Sequence, residues 1–308
     1  MRIVFMGNPA FAIPTLKTIL TSTHELAAVV SNPPKPMGRG QRLRHTAVGS
    51  YAVEHDLSVI PVEDTNSDSF ITELKALNPD IFVVVAYKIL PDPVIKIPPY
   101  GAINLHASLL PRYRGAAPIQ WALMNGDLVT GVSIFQIASK VDTGAILKQK
   151  EIPIFPDDNY LTLGTRLSET GADMIIHTLN ELESGTMVSK TQDSSRASRA
   201  PKISKKMNVI DWSWPADKIH NWVRGLAPHP GMITEINSRQ LRIYKTSIWK
   251  DSVKFRPGTV TFKSKNELRV STGDGALALI EIQLEGKKRM PVEHFLLGFP
   301  IDEGDVLG

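Results

Sequence analysis

The sequence predicts a doubly wound parallel α/β domain of Rossmann-like architecture, followed by a small β-barrel of the oligonucleotide-binding (OB-like) type. Three observations predict it. Apolar runs rich in Val and Ile alternate with helix-forming stretches through residues 2–107, as consecutive βαβ units do. Short β-rich pieces punctuated by Gly, Pro and Asn fill residues 207–308. Between them, "SGTMVSKTQDSSRASRAPKISKK" at 184–206 has hardly any apolar periodicity and carries six basic residues, which reads as a linker. The expected organisation is an α/β catalytic domain over 1–184, a basic linker over 185–206 and a β-barrel over 207–308.

The elements follow in order. "RIVFM" at 2–6 is a strand, "GNPAFAIPTLKTIL" a turn and helix with Phe11, Leu16 and Leu20 on one side, and "LAAVVS" at 26–31 a second strand. The pattern repeats as a helix near 45–55, a strand at 58–61, a helix at 67–77, the strand "DIFVVVAY" at 80–87, a short helix near 91–95 and the strand "GAINLHA". Continuous Val/Ile runs imply strands covered on both faces, hence a parallel sheet. Beyond it come the helix "PIQWALMNG", an antiparallel pair from "GVSIFQIA" and "AILKQKEIPI", and a long helix over 160–183. Five strands are expected after residue 207: "MITEI", "QLRIYKTSIW", "GTVTF", "ELRVST" and "ALALIEIQL".

Composition narrows the chemistry. With 42% hydrophobic and 21% charged residues in 308, the chain reads as a soluble globular protein of two ordinary domains. Its longest apolar runs are far too short to span a bilayer, and Gly-Asn-Pro interrupts the start before a signal core forms, so a cytoplasmic protein without a membrane partner is expected. No cysteine is present, which excludes disulfides, thiolate catalysis and cysteine metal sites. The eight histidines show no HxxH or HxH pairing, so no metal is indicated. The first crossover has a single glycine where a dinucleotide fold would show Gly-x-Gly-x-x-Gly, and no acid follows the second strand, which weakens an NAD reading.

"GAINLHASLLPRYRGAAPIQ" at 101–120 carries the chemistry. An apolar strand there holds an amide at Asn104 and an imidazole at His106. Side chains two apart on a strand face the same way, about 6 to 7 Å apart. Ligands of doubly wound sheets bind beyond the carboxyl ends of the strands, where these two lie. An imidazole can move protons and an amide NH₂ can donate to a developing oxyanion, whereas neither is a strong nucleophile; the pair suggests direct acyl transfer. Asp142, in "KVDTGAIL", can orient the imidazole and raise its basicity. Each has a plainer reading: a hydrogen-bonded core histidine, a loop-tethering amide, an Asx-turn before Gly144. Ser108-Leu109-Leu110-Pro111 leaves strand geometry because proline cannot continue a ladder, which is expected to free backbone donors and acceptors for a flat heterocycle.

"NLHASLLPRYRGAAPIQWA" followed by "VDTGAIL" resembles the signature of the folate-dependent formyltransferases, and the chain from "MRIVFMGNPAFA" to "STGDGALAL" resembles the methionyl-tRNA branch of that family. "GRGQRL" and "IDWS" at 210–213 point to the same branch. The resemblance implies that Asn104, His106 and Asp142 are catalytic. It further implies that Ser108, Leu109, Leu110, Pro111 and Tyr87 contact the folate, that 10-formyltetrahydrofolate is the co-substrate with no metal, and that initiator methionyl-tRNA is the partner, with no obligate protein partner. Ile137, Ala138, Ser139 and Lys140 depart from the family pattern, which has methionine and acidic or glycine residues before Asp-Thr-Gly.

Charge agrees with a polyanionic partner. Residues 1–184 hold 15 Lys and Arg against 18 Asp and Glu, a balance of −3, while 185–308 hold 20 against 13, a balance of +7. A basic island, "KPMGRGQRLR", lies inside the acidic part. Lys35, Arg39, Arg42 and Arg44 there, with Lys205, Lys206 and Arg224 near the start of the C-terminal part, are the expected tRNA contacts. Residues 31–49 are expected to form a long loop that orders on the acceptor stem. Two rivals remain: a formyltransferase for a small amine or a formylfolate hydrolase, which has less need of a basic β-domain, and an idle RNA-binding relative, which has no need of Asn104, His106 and Asp142.

Overall fold

A computed structural model describes residues 1–38, 40–249 and 255–308. In chain order its elements are β1 (Arg2–Gly7), α1 (Ile13–Leu20), β2 (Glu25–Ser31), β3 (Lys35–Met37), β4 (Arg42–Arg44), α2 (Ala47–Glu54), β5 (Val59–Pro61), α3 (Asp68–Ala76), β6 (Ile81–Val85), α4 (Asp92–Ile95) and β7 (Ala102–His106). They continue as α5 (Pro118–Met124), β8 (Val129–Gln136), β9 (Ile146–Pro153), α6 (Tyr160–Glu183), α7 (Ala216–Leu226), β10 (Met232–Ile236), β11 (Arg239–Trp249), β12 (Val260–Lys263), β13 (Leu268–Ser271), β14 (Ala276–Leu284), β15 (Met290–Pro291) and α8 (Val292–Leu296). The chain divides into two compact units. One comprises 1–116, 129–153 and 164–200; the other comprises 117–128, 154–163 and 201–308. No helix among the described residues is long and apolar enough to cross a membrane.

The first unit is built on a seven-stranded sheet of order β5-β2-β1-β6-β7-β8-β9. Its first five strands are parallel, as the Val/Ile runs predict, and the winding reverses at β1. Consecutive residues Ile3, Val4, Phe5 and Met6 are all fully buried, so both faces of β1 are covered. Val4 and Met6 pack with Phe70 and Leu74 of α3 and Val94 of α4. The sheet is not wholly parallel. β8 pairs antiparallel with β7, and β9 with β8, so the expected antiparallel pair is present and extends the same sheet. Gly171 allows α6 to press onto β7: a Cβ there would lie 2.5 Å from the Leu105 side chain.

Residues 31–49 also differ from the long loop expected. β3 and β4 form an antiparallel hairpin pairing Lys35 with Arg44 and Met37 with Arg42, and α2 follows. Thr46 caps that helix by accepting from the Gly49 N–H at 2.9 Å. Pro36 at a short exposed edge and the charged alternation hide the hairpin from an apolar-pattern reading.

The second unit holds an antiparallel sheet of order β10-β11-β14-β13-β12, with β15 also on β14. Among the described residues this pairing does not close on itself, so the finding is an open antiparallel sheet where a closed barrel was expected. The five expected strands are present, but α7 was not foreseen. Its Ile219, Val223 and Leu226 recur at helical spacing and pack against Leu241, Ile243, Leu277 and Leu279 of the sheet.

Candidate active site

β7 is interior to the sheet, paired with β6 in parallel and with β8 antiparallel. Ala102, Ile103 and Leu105 are buried, while Asn104 is half-buried. No described residue hydrogen-bonds the Asn104 carboxamide, leaving its NH₂ free to donate. His106, at the carboxyl end, is 6% exposed and donates through Nε2 to the Tyr113 carbonyl at 2.9 Å. A carbonyl only accepts, so the proton on Nε2 is inferred from that partner, and in the neutral ring Nδ1 keeps its lone pair.

Nδ1 lies 3.9 Å from Asp142 Oδ2, too far for a direct hydrogen bond but close enough to attract an imidazolium. The expected orienting bond from Asp142 is thus replaced by one from Tyr113. Asp142 sits in the left-handed region at φ 53°, where an aspartate is tolerated, and its side chain is 11% exposed. Its Oδ2 accepts from the Gly115 N–H at 2.7 Å. Gly144 closes the same turn: a Cβ there would lie 1.6 Å from the Gln136 carbonyl oxygen. The departure before it is well accommodated. Ile137 donates its N–H to the Ala102 carbonyl at 2.7 Å, and the Ser139 hydroxyl donates to Asp92 at 2.9 Å.

Ser108–Pro111 leaves the strand as expected, and its carbonyls and the Leu110 N–H are already hydrogen-bonded within the protein. The Ser133 hydroxyl donates to Ser108 O at 2.6 Å and accepts from Leu110 N at 3.0 Å. Gln149 Nε2 donates to Leu110 O at 2.8 Å, and Leu109 O accepts from Arg112 N at 3.0 Å. These bonds brace the loop from within the protein, and Leu109 is half-buried. Tyr87, two residues past β6, is half-buried, and its hydroxyl is buried with no partner among the described residues. Burial pushes that phenol up to about 12. A buried, unpartnered donor suits a polar ligand atom.

The Tyr113–Gly115 turn is braced by residues 190–200. Tyr113 N donates to Ser198 Oγ at 2.9 Å, Arg114 N donates to Ser198 O at 2.9 Å, and Ala200 N donates to Arg114 O at 2.7 Å. Ser198, Gln192 and the Tyr113 carbonyl escape the sequence reading because polar contacts between distant segments leave no periodic signal.

The basic candidates fall in different settings. Lys35, Arg42 and Arg44 are exposed on the β3–β4 hairpin, and the pairing puts Lys35 directly opposite Arg44, with Arg42 on the same face as Arg44. Like charges opposite one another destabilise a hairpin, so this face concentrates positive charge without an acidic partner in the pairing. Arg39 lies outside the described residues. Lys205 and Lys206 are exposed on a 3₁₀ turn of the second unit. Arg224 is placed unlike a free phosphate ligand: its Nη1 donates to the carbonyls of Phe155, Pro156 and Asp158 at 3.2 to 3.3 Å, and Nη2 to Asn221 Oδ1 at 2.7 Å. Burial lowers its guanidinium from the ordinary value, with Asp158 and Asp157 opposing. Among the described residues, no three His, Cys, Asp or Glu side chains are grouped to hold a metal.

Residues 1–179 match the formyl transferase family and 202–300 match the formyl transferase C-terminal domain. A methionyl-tRNA formyltransferase of Caldanaerobacter subterraneus subsp. tengcongensis is 42% identical over 309 residues, covering 100% of both chains. One of Trichlorobacter lovleyi is 41% identical over 307 residues, covering 99% of this chain and 96% of that one. Among solved structures, WlaRD, a sugar 3N-formyltransferase crystallised with dTDP and 5-N-formyl-THF, shares the fold at TM-score 0.68 and 19% identity, covering 94% of this chain and 99% of that one. HypX from Aquifex aeolicus in complex with tetrahydrofolic acid does so at TM-score 0.63 and 16% identity, covering 100% of this chain and 50% of that one. With full-length relatives at this identity and both domain families matched in order, the chain belongs to the methionyl-tRNA formyltransferase family.

Proposed function

We propose that this enzyme transfers the formyl group of 10-formyltetrahydrofolate to the α-amino group of methionyl initiator tRNA, for translation initiation. The observation that carries the reading is the meeting of His106 and Asp142, 3.9 Å apart, at the carboxyl end of β7, with the Asn104 amide, which no described residue hydrogen-bonds, two residues before. The methionyl amine attacks the formyl carbon, and Asn104 donates to the oxyanion as it forms. His106 Nδ1 takes the proton released by the attacking amine while Nε2 stays on Tyr113. The imidazolium so formed faces the Asp142 carboxylate, which stabilises it, and the proton passes to the folate nitrogen as the carbon–nitrogen bond to the donor breaks. No covalent enzyme intermediate is needed.

Tyr87 and the Ser108–Pro111 segment bind the folate, Leu109 by apolar contact. Lys35, Arg42, Arg44, Lys205 and Lys206, with Arg39, meet tRNA phosphates. Residues 1–184 act as the catalytic domain, 185–206 join it to the C-terminal domain, and 207–308 act as a tRNA-binding domain built on the open antiparallel sheet, a role supported by the balance of +7 over 185–308. The enzyme works in the cytoplasm. The test is formylation of charged initiator tRNA, charged elongator methionyl-tRNA and free sugar or nucleotide amines with 10-formyltetrahydrofolate. The initiator tRNA should be the preferred acceptor by kcat/KM; equal or better use of a free amine would overturn the reading.

A further inference from the structure

Residues 190–200 lie in the stretch that reads as a linker, yet they form a strap against the first unit. Ile146 and Lys190 exchange two backbone hydrogen bonds, at 2.8 and 2.7 Å. Two residues on, Gln192 is 7% exposed and all the hydrogen-bonding directions of its side chain are used. Its Oε1 accepts from Arg114 Nε at 3.1 Å and Nη2 at 2.7 Å. Its Nε2 donates to the Asp142 carbonyl at 2.9 Å and the Gly144 carbonyl at 2.8 Å.

One amide thus joins two loops that matter for the site. The first, Tyr113–Gly115, supplies the carbonyl that accepts the hydrogen bond from His106 Nε2–H and the N–H that holds the Asp142 carboxylate. The second carries Asp142 itself, in a left-handed conformation that needs support from outside the turn. A buried amide with four satisfied bonds fixes such a conformation far better than packing, because each freed carbonyl would give up a close donor in a low-dielectric setting.

We infer that Gln192, held by the strap at 190–200, is a positioning residue for formyl transfer that sets the Asp142 carboxylate opposite His106. This rests on the roles given above to Asp142 and His106. Gln192 is buried with all four hydrogen-bonding directions used within the protein, so its removal should act on kcat through Asp142 and leave the binding of folate and tRNA alone.

A double-mutant cycle on the full-length enzyme tests this. Gln192→Met should lower kcat by about ten- to hundredfold, with KM for both substrates within about twofold of the parent. Added to Asp142→Asn, the same change should cost less than about threefold more, since the group it positions is already neutralised. Full multiplication of the two effects, or a parent-like kcat for Gln192→Met, overturns the inference. Should Gln192→Met not fold, Gln192→Glu keeps the size and the acceptor for Arg114 but sets an oxygen against two carbonyls; it should lose kcat alike, and parent-like turnover by it would overturn the inference. If Asp142→Asn alone turns over normally, the catalytic reading has failed, and the inference with it.

Discussion

The His106 ring is held by Tyr113, whose carbonyl accepts the Nε2 proton at 2.9 Å from a residue at φ 60°. A tyrosine in the left-handed region is uncommon, and here it turns its carbonyl inward toward the imidazole. Asp142 at 3.9 Å then acts on the charged ring rather than on the tautomer. Replacing Asp142 by Asn should therefore lower kcat by about 10² to 10⁴ without changing the folded structure, because the side-chain volume and the acceptor for Gly115 N–H remain. Steady-state kinetics with a circular dichroism control checks this.

Gly144 tests the turn that presents Asp142. A Cβ at 1.6 Å from the Gln136 carbonyl cannot be absorbed by a rotamer change, since the obstacle is backbone. Gly144→Ala should lower kcat more than tenfold and destabilise the fold by about 1 to 3 kcal/mol. Thermal melts and turnover measured on one preparation decide it.

The basic hairpin gives a salt prediction. Lys35, Arg42 and Arg44 share one exposed face of β3–β4. If they meet phosphates, the triple alanine variant should bind tRNA more weakly, and the slope of log Kd against log salt should fall by about 0.7 to 1 for each phosphate no longer neutralised. Folate binding should not change. An unaltered slope would remove the hairpin from the interface.

His220 predicts a stability change with pH. Its imidazole is lowered to about 4 by burial and then by the Arg224 charge, and its Nδ1 is 2.9 Å from Thr246 Oγ1. A folded value below the unfolded one near 6.5 means that the unfolded chain binds the proton first as pH falls. Stability from this group is full above about pH 6.5, declines through the window down to about 4, and is lost below it. The decline should be on the order of 2 kcal/mol, and His220→Gln should remove most of it from the melting temperature measured between pH 7 and 4.5.

Much of the fold was legible because burial on two faces writes continuous Val/Ile runs, and β1, β2, β6 and β7 fall where those runs lie. Asn104 and His106 stood out for the opposite reason, as polar groups in an apolar strand. What the pattern could not carry was pairing. Nothing in "GVSIFQIA" says that β8 joins β7 rather than a separate sheet. The β3–β4 hairpin and the Gln192 strap are held by polar and backbone bonds between segments, which have no period. Ile219, Val223 and Leu226 were a readable helical stripe, obscured by neighbouring β-rich pieces.

The central claim is direct transfer assisted by His106 and Asn104, and single-turnover kinetics reads it without interference from product release. Enzyme in excess over charged initiator tRNA is mixed with 10-formyltetrahydrofolate and quenched on the millisecond scale. His106→Ala and Asn104→Ala should each slow the transfer step by about 10² to 10⁴ while both substrates bind with parent affinity. A transfer rate near that of the parent in a folded His106→Ala enzyme would contradict the account.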